Sequence, residues 1–304
     1  MTKKAGSILI TVMLLILSMA AFECTWAQTE TQSAQEPTPE QSLVHTKPLW
    51  EVGIFGGGAR IPAYRGSKTY ETYVFPAPFL IYRGEIFQSD REGASGIFYR
   101  SERLESTLSF GGNIPVDADN TAREGMDDLD PIIEVGPALK WYFLGRFTDQ
   151  YLYFRPALRA AISIGLPDDV RTHFRGWRLS LNLTYWNDAL FGNEQWAMGA
   201  SAGVNFSDAE YHDYFYGVDD DEARPGRPIY EADAGYAGLG LSSSILYRIT
   251  QRLSLSAYGR WGNIAGAAFD DSPLVETENN YTVGAAVIWT IFESDERVDA
   301  RYRE

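Results

Sequence analysis

Histidine is the side chain best suited to proton transfer near neutral pH, and this chain holds three: His45, His173 and His212. Beside a serine at a membrane rim, one of them would make a lipid hydrolase. His45 falls in a polar stretch with almost nothing to bury, and His212, in D-A-E-Y-H-D-Y, reads as one of several polar loop residues. His173 opens an extended segment where it could meet a rim serine, but no nucleophile motif accompanies it, so no catalytic residue is assigned. Carboxylates gather in two places, Asp117, Asp119, Glu124, Asp127, Asp128 and Asp130, then Asp219, Asp220, Asp221 and Glu222. Such groups can hold calcium or magnesium through oxygen ligands. Ala122, and Glu222 or Ala223, stand where a calcium loop needs its turn glycine, so both read as solvated, self-repelling loops with no metal or cofactor assigned.

A second set of charges is patterned, and the pattern is that of strands. From Trp177 to Tyr185, Trp177, Leu179, Leu181, Leu183 and Tyr185 fall on one side, with Arg178, Ser180, Asn182 and Thr184 on the other. In 133–143, Ile133, Val135, Pro137, Leu139, Trp141 and Phe143 oppose Glu134 and Lys140. In 152–164, Leu152, Phe154, Pro156, Leu158, Ala160, Ile162 and Ile164 oppose Tyr153, Arg155, Arg159 and Ser163. In 252–262, Leu253, Leu255, Ala257 and Trp261 oppose Ser254, Ser256, Tyr258 and Arg260. An apolar stripe with aromatic ends, backed by a polar stripe, suits a strand with lipid on one face.

Arginine on a lipid face near the midplane costs about 2–4 kcal/mol. Lys140, Arg155, Arg159, Arg178, Arg248 and Arg260 are therefore expected to face a lumen, where Glu105 and Glu134 are candidate partners. Paired, these groups fill the lumen with an ionic network; a basic strip left unpaired would instead favour passing anions. A barrel of about twelve strands is narrow, and bulky arginines and tyrosines favour the packed interior.

Twelve strands are predicted, at 50–60, 73–82, 85–90, 94–100, 104–112, 131–145, 150–165, 174–187, 195–207, 234–249, 252–264 and 280–292. The connections 61–72, 91–93, 113–130, 166–173, 208–233 and 265–279 are all longer, but for 91–93, than those at 83–84, 101–103, 146–149, 188–194 and 250–251. A soluble sandwich has no reason to sort its loops this way. The reading is all-β: a transmembrane antiparallel barrel with short periplasmic turns and longer extracellular loops.

The N-terminus fits export. Lys3 and Lys4 precede an apolar run from Ile8 to Phe22, and Thr25-Trp26-Ala27 offers a cleavage site, giving a signal peptide over 1–27. Cleavage there removes Cys24, the single cysteine. The Gln, Thr, Glu, Ser and Pro composition of 28–48 predicts a disordered periplasmic leader, with the barrel over 49–292 and a charged, solvated tail over 293–304. Mean hydropathy is −0.24, like that of a soluble protein, as expected when only alternate residues face lipid. A net charge of −15 argues against nucleic-acid binding.

Four short segments carry a family resemblance: P-A-Y-R-G-S (Pro62 to Ser67), F-P-A-P-F-L-I-Y-R-G (Phe75 to Gly84), Y-F-Y-G-V (Tyr214 to Val218) and D-S-P-L-V (Asp271 to Val275). In their order and spacing from Trp50 to Phe292 the chain resembles the MipA/OmpV family of outer-membrane proteins. The resemblance implies a barrel in outer-membrane lipid that acts as a non-enzymatic scaffold, joining a lytic murein transglycosylase to a murein-synthesising penicillin-binding protein. It assigns that binding to no particular residues. The last strand also resembles the signal read by the barrel assembly machinery, with Thr282, Gly284, Val287 and Trp289 at its polar, glycine and hydrophobic positions; the charged tail after Phe292 departs from the pattern. A narrow channel for small solutes and a surface adhesin using the tyrosine-rich loop 208–233 are the alternatives.

Overall fold

Strands that need hydrocarbon on one face and not on the other can lose their unpaired edges only by closing on themselves. The structure, a computed structural model, describes residues 46–90, 93–145, 149–165 and 171–299. Its elements run β1 (Thr46–Pro48), β2 (Trp50–Pro62), β3 (Tyr70–Arg83), β4 (Phe87–Asp90), β5 (Gly93–Arg100), β6 (Leu104–Asn113) and β7 (Ile132–Leu144). There follow β8 (Gln150–Gly165), β9 (Arg171–Asn187), β10 (Trp196–Ser207), α1 (Ala209–Tyr216), β11 (Gly235–Arg248), β12 (Leu253–Asn263), β13 (Asn279–Glu293) and β14 (Arg297–Asp299).

Strands β2 to β13 form one closed barrel of twelve, each antiparallel to its neighbours in sequence. The seam is made by β13 and β2, from Val283↔Arg60 to Glu293↔Glu51. The count is as the sequence predicts; the three longest connections, 114–131, 208–234 and 264–278, lie at the predicted rim, but 188–195 at the other rim is longer than 63–69, because β3 starts earlier than expected. Strands β3, at Tyr70, and β9, at Arg171, start three residues earlier than predicted, because the pairs Pro62↔Tyr70 and Gly165↔Arg171 extend the hairpins toward the long-loop rim.

Side chains alternate as the period of two requires. Along β8, Tyr153, Ala157, Ala161 and Ser163 are buried while Leu158 is exposed; along β7, Glu134, Ala138, Lys140 and Tyr142 are buried while Trp141 and Phe143 are exposed. Outward aromatics collect near both rims. Trp141, Phe143, Trp196, Tyr247 and Trp289 lie toward the short turns, and Phe174, Trp177, Phe206, Tyr236 and Tyr281 toward the long loops. Neighbouring rim rings touch, among them Trp196 with Tyr247 at 4.5 Å between ring centres and Phe174 with Trp177 at 5.9 Å.

The chain ends correct one expectation. Residues 46–48 and the start of the tail are not solvated coil: β1 and β14 pair from Thr46↔Asp299 to Pro48↔Arg297, and Val298 is buried. The reason is geometric. β2 and β13 are neighbours in the barrel, so the segments before and after them emerge side by side and continue pairing. The expected signal peptide, the leader before residue 46 and the tail from 300 lie outside the described residues.

Candidate lumen site

The lumen is wired around Glu134 of β7, which is 1% exposed. Arg178 of β9 donates from Nη1 to its Oε1 at 2.9 Å, and Arg159 of β8 places Nη1 3.7 Å from its Oε2. Tyr211 of α1 donates to the same Oε1 at 3.0 Å. Arg178 Nη2 also donates to Asn205 Oδ1 at 3.0 Å, and Arg159 Nε to Ser109 Oγ at 2.9 Å. One carboxylate on β7 thus ties strands β6 to β10 and the cap helix to a single point, which a buried anion needs if it is to stay ionised.

The other charged residues lie elsewhere in the interior. Glu105 accepts from Arg100 Nε at 2.8 Å and sits directly opposite Lys140, whose ammonium lies 5.3 Å from the Tyr153 ring centre. Arg155 projects inward from β8, half-buried. Arg248 lies at the short-turn end, paired with Asp188 at 2.8 Å and donating to the carbonyls of Asp188 and Glu194. Arg260 makes no ion pair among the described residues. Glu105 and Glu134 therefore do not serve all six basic residues. On β13, Thr282 and Gly284 face inward and the exposed Val287 and Trp289 outward.

The long loops do not hang in solvent. Segments 63–69, 114–131, 208–234 and 264–278 pack an apolar cluster over the barrel mouth, including Tyr64, Val116, Leu129, Phe215, Tyr216, Ala232, Ile264 and Phe269. Three of the segments that carry the family resemblance meet there. Tyr64 donates to the Leu274 carbonyl at 2.8 Å, Ser272 to the Tyr216 carbonyl at 2.8 Å, and Tyr216 to the Arg65 carbonyl at 3.0 Å. Burial first of all raises the Tyr64 hydroxyl to about 12 and pushes Tyr216 up further, so both stay protonated donors.

Asp208 caps α1 by accepting from Tyr211 N with Oδ1 at 3.0 Å, and its Oδ2 takes Trp177 N of β9 at 2.9 Å. Gly176, at φ +91°, leaves the space: a Cβ there would collide with the Asp208 carboxylate.

His212, expected as one of several polar loop residues, is buried in a helix. It lies in α1 at 1% exposure, edge-on to Phe269, with Nδ1 2.7 Å from the Asp233 carbonyl. A carbonyl only accepts, so Nδ1 carries the proton of the neutral ring. Burial holds this histidine below its ordinary value, against the opposing pull of the Asp233 carbonyl. His173 is exposed opposite Ser163, whose Oγ is taken by Arg175 Nε at 2.9 Å. In the first acidic loop, Asp117 and Asp128 accept from the backbone of Asp119 and Ala118, which is turn stabilisation.

Between cap and network lies a cavity of about 260 Å³. Its polar wall includes Arg65, Arg178, Arg260, Asn263, Asn280 and Thr282, and its apolar wall Ile61, Leu239, Ile264 and Phe269. Among the described lining residues there is no aspartate or glutamate. Arg65 is held in place by Gly66, whose left-handed backbone (φ +94°) turns the chain and whose N–H donates to Asn280 Oδ1 at 2.6 Å. Burial first, then the facing Arg178 and Arg260, lower the Arg65 guanidinium to about 10, so it stays charged at neutral pH. Sequence pattern missed Arg65, Asn205 and Tyr211. Arg65 and Tyr211 sit in connections with no period; a signal was present at α1, where Asp208 precedes Glu210 in the first turn and Tyr211 and Phe215 are spaced one helical turn apart.

A closed, twelve-stranded barrel with an apolar belt, rim aromatics and its charges turned inward defines an outer-membrane β-barrel. A family model described as MltA-interacting protein MipA matches residues 54–291, and the chain belongs to that family. It is similar to the outer membrane protein OmpV of Vibrio cholerae serotype O1, 24% identical over 68% of this chain and 75% of that protein. It is also similar to the outer membrane protein YiaT of Escherichia coli K12, 23% identical over 79% and 90% of the two chains. A solved NanC porin covers 78% of this chain over 100% of its own, at a TM-score of 0.40 and 7% identity. The protein resides in the outer membrane of a Gram-negative bacterium.

Proposed function

We propose that this chain is a non-enzymatic scaffold that holds murein-processing enzymes at the periplasmic face of the outer membrane. One observation carries the reading: the extracellular mouth is closed by a hydrogen-bonded apolar cap and the lumen beneath it is crossed by the Glu134 network. A barrel closed in this way has its rims and not its bore as working surfaces. The family's description as an MltA-interacting protein supports a murein transglycosylase as one partner, and a penicillin-binding protein is the second partner that the family resemblance implies. The paired ends β1 and β14 extend from the short-turn rim, where such partners would dock.

Two measurements test this. The purified barrel, immobilised in detergent, should retain a lytic transglycosylase and a murein synthase from solubilised membranes after mild cross-linking. Recovery of neither would end the scaffold reading. In planar bilayers the intact chain should show no steady conductance, and an open step in every insertion would mean that the bore is the working part.

A further inference from the structure

The cavity under the cap is charged in a way that packing alone does not require. Arg65, Arg178 and Arg260 converge on it from loop 63–69, β9 and β12. Arg178 shares Glu134 with Arg159, and no aspartate or glutamate stands among the described lining residues. Arg65 makes a single long hydrogen bond, from Nη1 to the Ala237 carbonyl at 3.3 Å, and Arg260 has no ion pair among the described residues. Arginine stays charged at any physiological pH, so this excess cannot be relieved by losing a proton. Cations gathered on one wall, Arg65 and Arg178 half-buried and Arg260 exposed, are stabilised by an anion instead, and the attraction is stronger beside protein than in bulk water.

We propose that this cavity is a binding site for a small organic anion bearing a carboxylate or phosphate group. Arg65 and Arg260 supply forked donors, Thr282 lies on the same wall, and Leu239, Ile264 and Phe269 receive the apolar face of the molecule. A volume of about 260 Å³ suits a molecule the size of a sugar phosphate or sugar acid. Access is from the lumen. Tyr258 faces inward on β12, opposite Gly284, yet is 40% exposed, and Arg260 two residues on is exposed too, so water reaches the cavity along this strand. The site is independent of the scaffold reading, since it needs no open bore and no protein partner.

The test is titration calorimetry on the full chain in detergent at low chloride, with glucose 6-phosphate, glucuronate and neutral glucose as probes. One or both anions should bind while glucose does not. The affinity should fall about tenfold or more in Arg260→Gln and in Arg65→Gln, the loss expected for a charge-assisted hydrogen bond. Arg260→Lys should lose less, because it keeps the charge and forfeits only the fork. Arg252→Gln, on an exposed turn at the other rim, should bind as the parent does. Retained heat-dependent gel migration identifies the variants that fold. If both fail to fold, competition of chloride against the anions in the parent chain decides the matter, because a guanidinium site must weaken as chloride rises. Absence of binding by both anions, equal binding of glucose, unchanged affinity in folded Arg260→Gln, or insensitivity to chloride would each overturn the proposal.

Discussion

Replacing Glu134 with Gln isolates the electrostatic part of lumen packing, because side-chain volume hardly changes while the one negative charge at the centre of the network disappears. Arg178, 2.9 Å away, and Arg159, 3.7 Å away, then face each other without a shared counter-ion, and Tyr211 exchanges a charged acceptor for a neutral one. Breaking a buried ion pair by removing one partner costs about 3–5 kcal/mol. The lower end applies here, about 3 kcal/mol, since the Gln carbonyl can still accept one of the hydrogen bonds. At about 2–4 °C per kcal/mol for a domain of this size, the midpoint of heat conversion should drop by roughly 6–12 °C. The assay is the temperature at which the fast-migrating folded band gives way to the unfolded one. Two controls fix the interpretation. Glu134→Gln combined with Arg178→Gln should recover part of the loss, because the second change removes the uncompensated charge. Arg248→Gln breaks a pair with side chains 28% and 18% exposed, against 14% and 1% for Arg178 and Glu134, and should cost less than Glu134→Gln. An unchanged midpoint for Glu134→Gln, or a double variant worse than the two single changes added together, would refute the idea that this carboxylate holds the lumen together.

Three further outcomes follow from single positions. Gly176→Val places a branched side chain at φ +91° against the Asp208 carboxylate, so the α1 cap should detach, and protease should cut within 208–234 while the barrel keeps its heat-dependent migration. A cut rate equal to the parent's would mean the cap does not depend on that contact. His212 has its folded pKa below the ordinary 6.5, chiefly through burial, so the unfolded or detached loop binds the proton more readily. Its stabilisation of the cap is complete above about pH 6.5 and is lost as pH falls from there through the folded value, so cleavage of 208–234 should rise over that window and His212→Gln should flatten the rise. Leu181→Arg puts a charge on the lipid face midway between Trp177 and Tyr185, which costs about 2–4 kcal/mol, and the folded band should weaken in membranes.

What the sequence disclosed and what it hid divide along a physical line. A period of two reports which face a residue occupies, and it is enough to count twelve strands. It carries no information on depth along the strand or on the partner across the lumen. Glu134 and Glu105 look equivalent in the pattern, yet one gathers two arginines and a tyrosine while the other pairs with Arg100, the residue opposite it on the next strand. The loops hide more. Tyr216 reaches Arg65 and Tyr64 reaches Leu274 through hydrogen bonds spanning 151 and 210 residues, and no local period encodes contacts of that length.

The same division explains why the cavity was invisible beforehand. Arg178 and Arg260 belong to the strand pattern, and taken alone they suit an interior closed by ion pairs. Arg65 comes from a loop, and only the fold over the mouth brings it against them, on a wall with no carboxylate among its described residues. The acidic residues are numerous, 41 against 26 basic ones, but Asp117, Asp119, Asp219, Asp220 and Asp221 stay at the loop surface, apart from the basic lumen. A chain that is anionic in total is therefore cationic at one enclosed point, and such a separation needs charges from distant segments to be sorted by depth. Composition averages over that sorting and alternation is blind to it. The cap alone creates it, which is why detaching α1 through Gly176→Val should weaken anion binding as well as expose the loop.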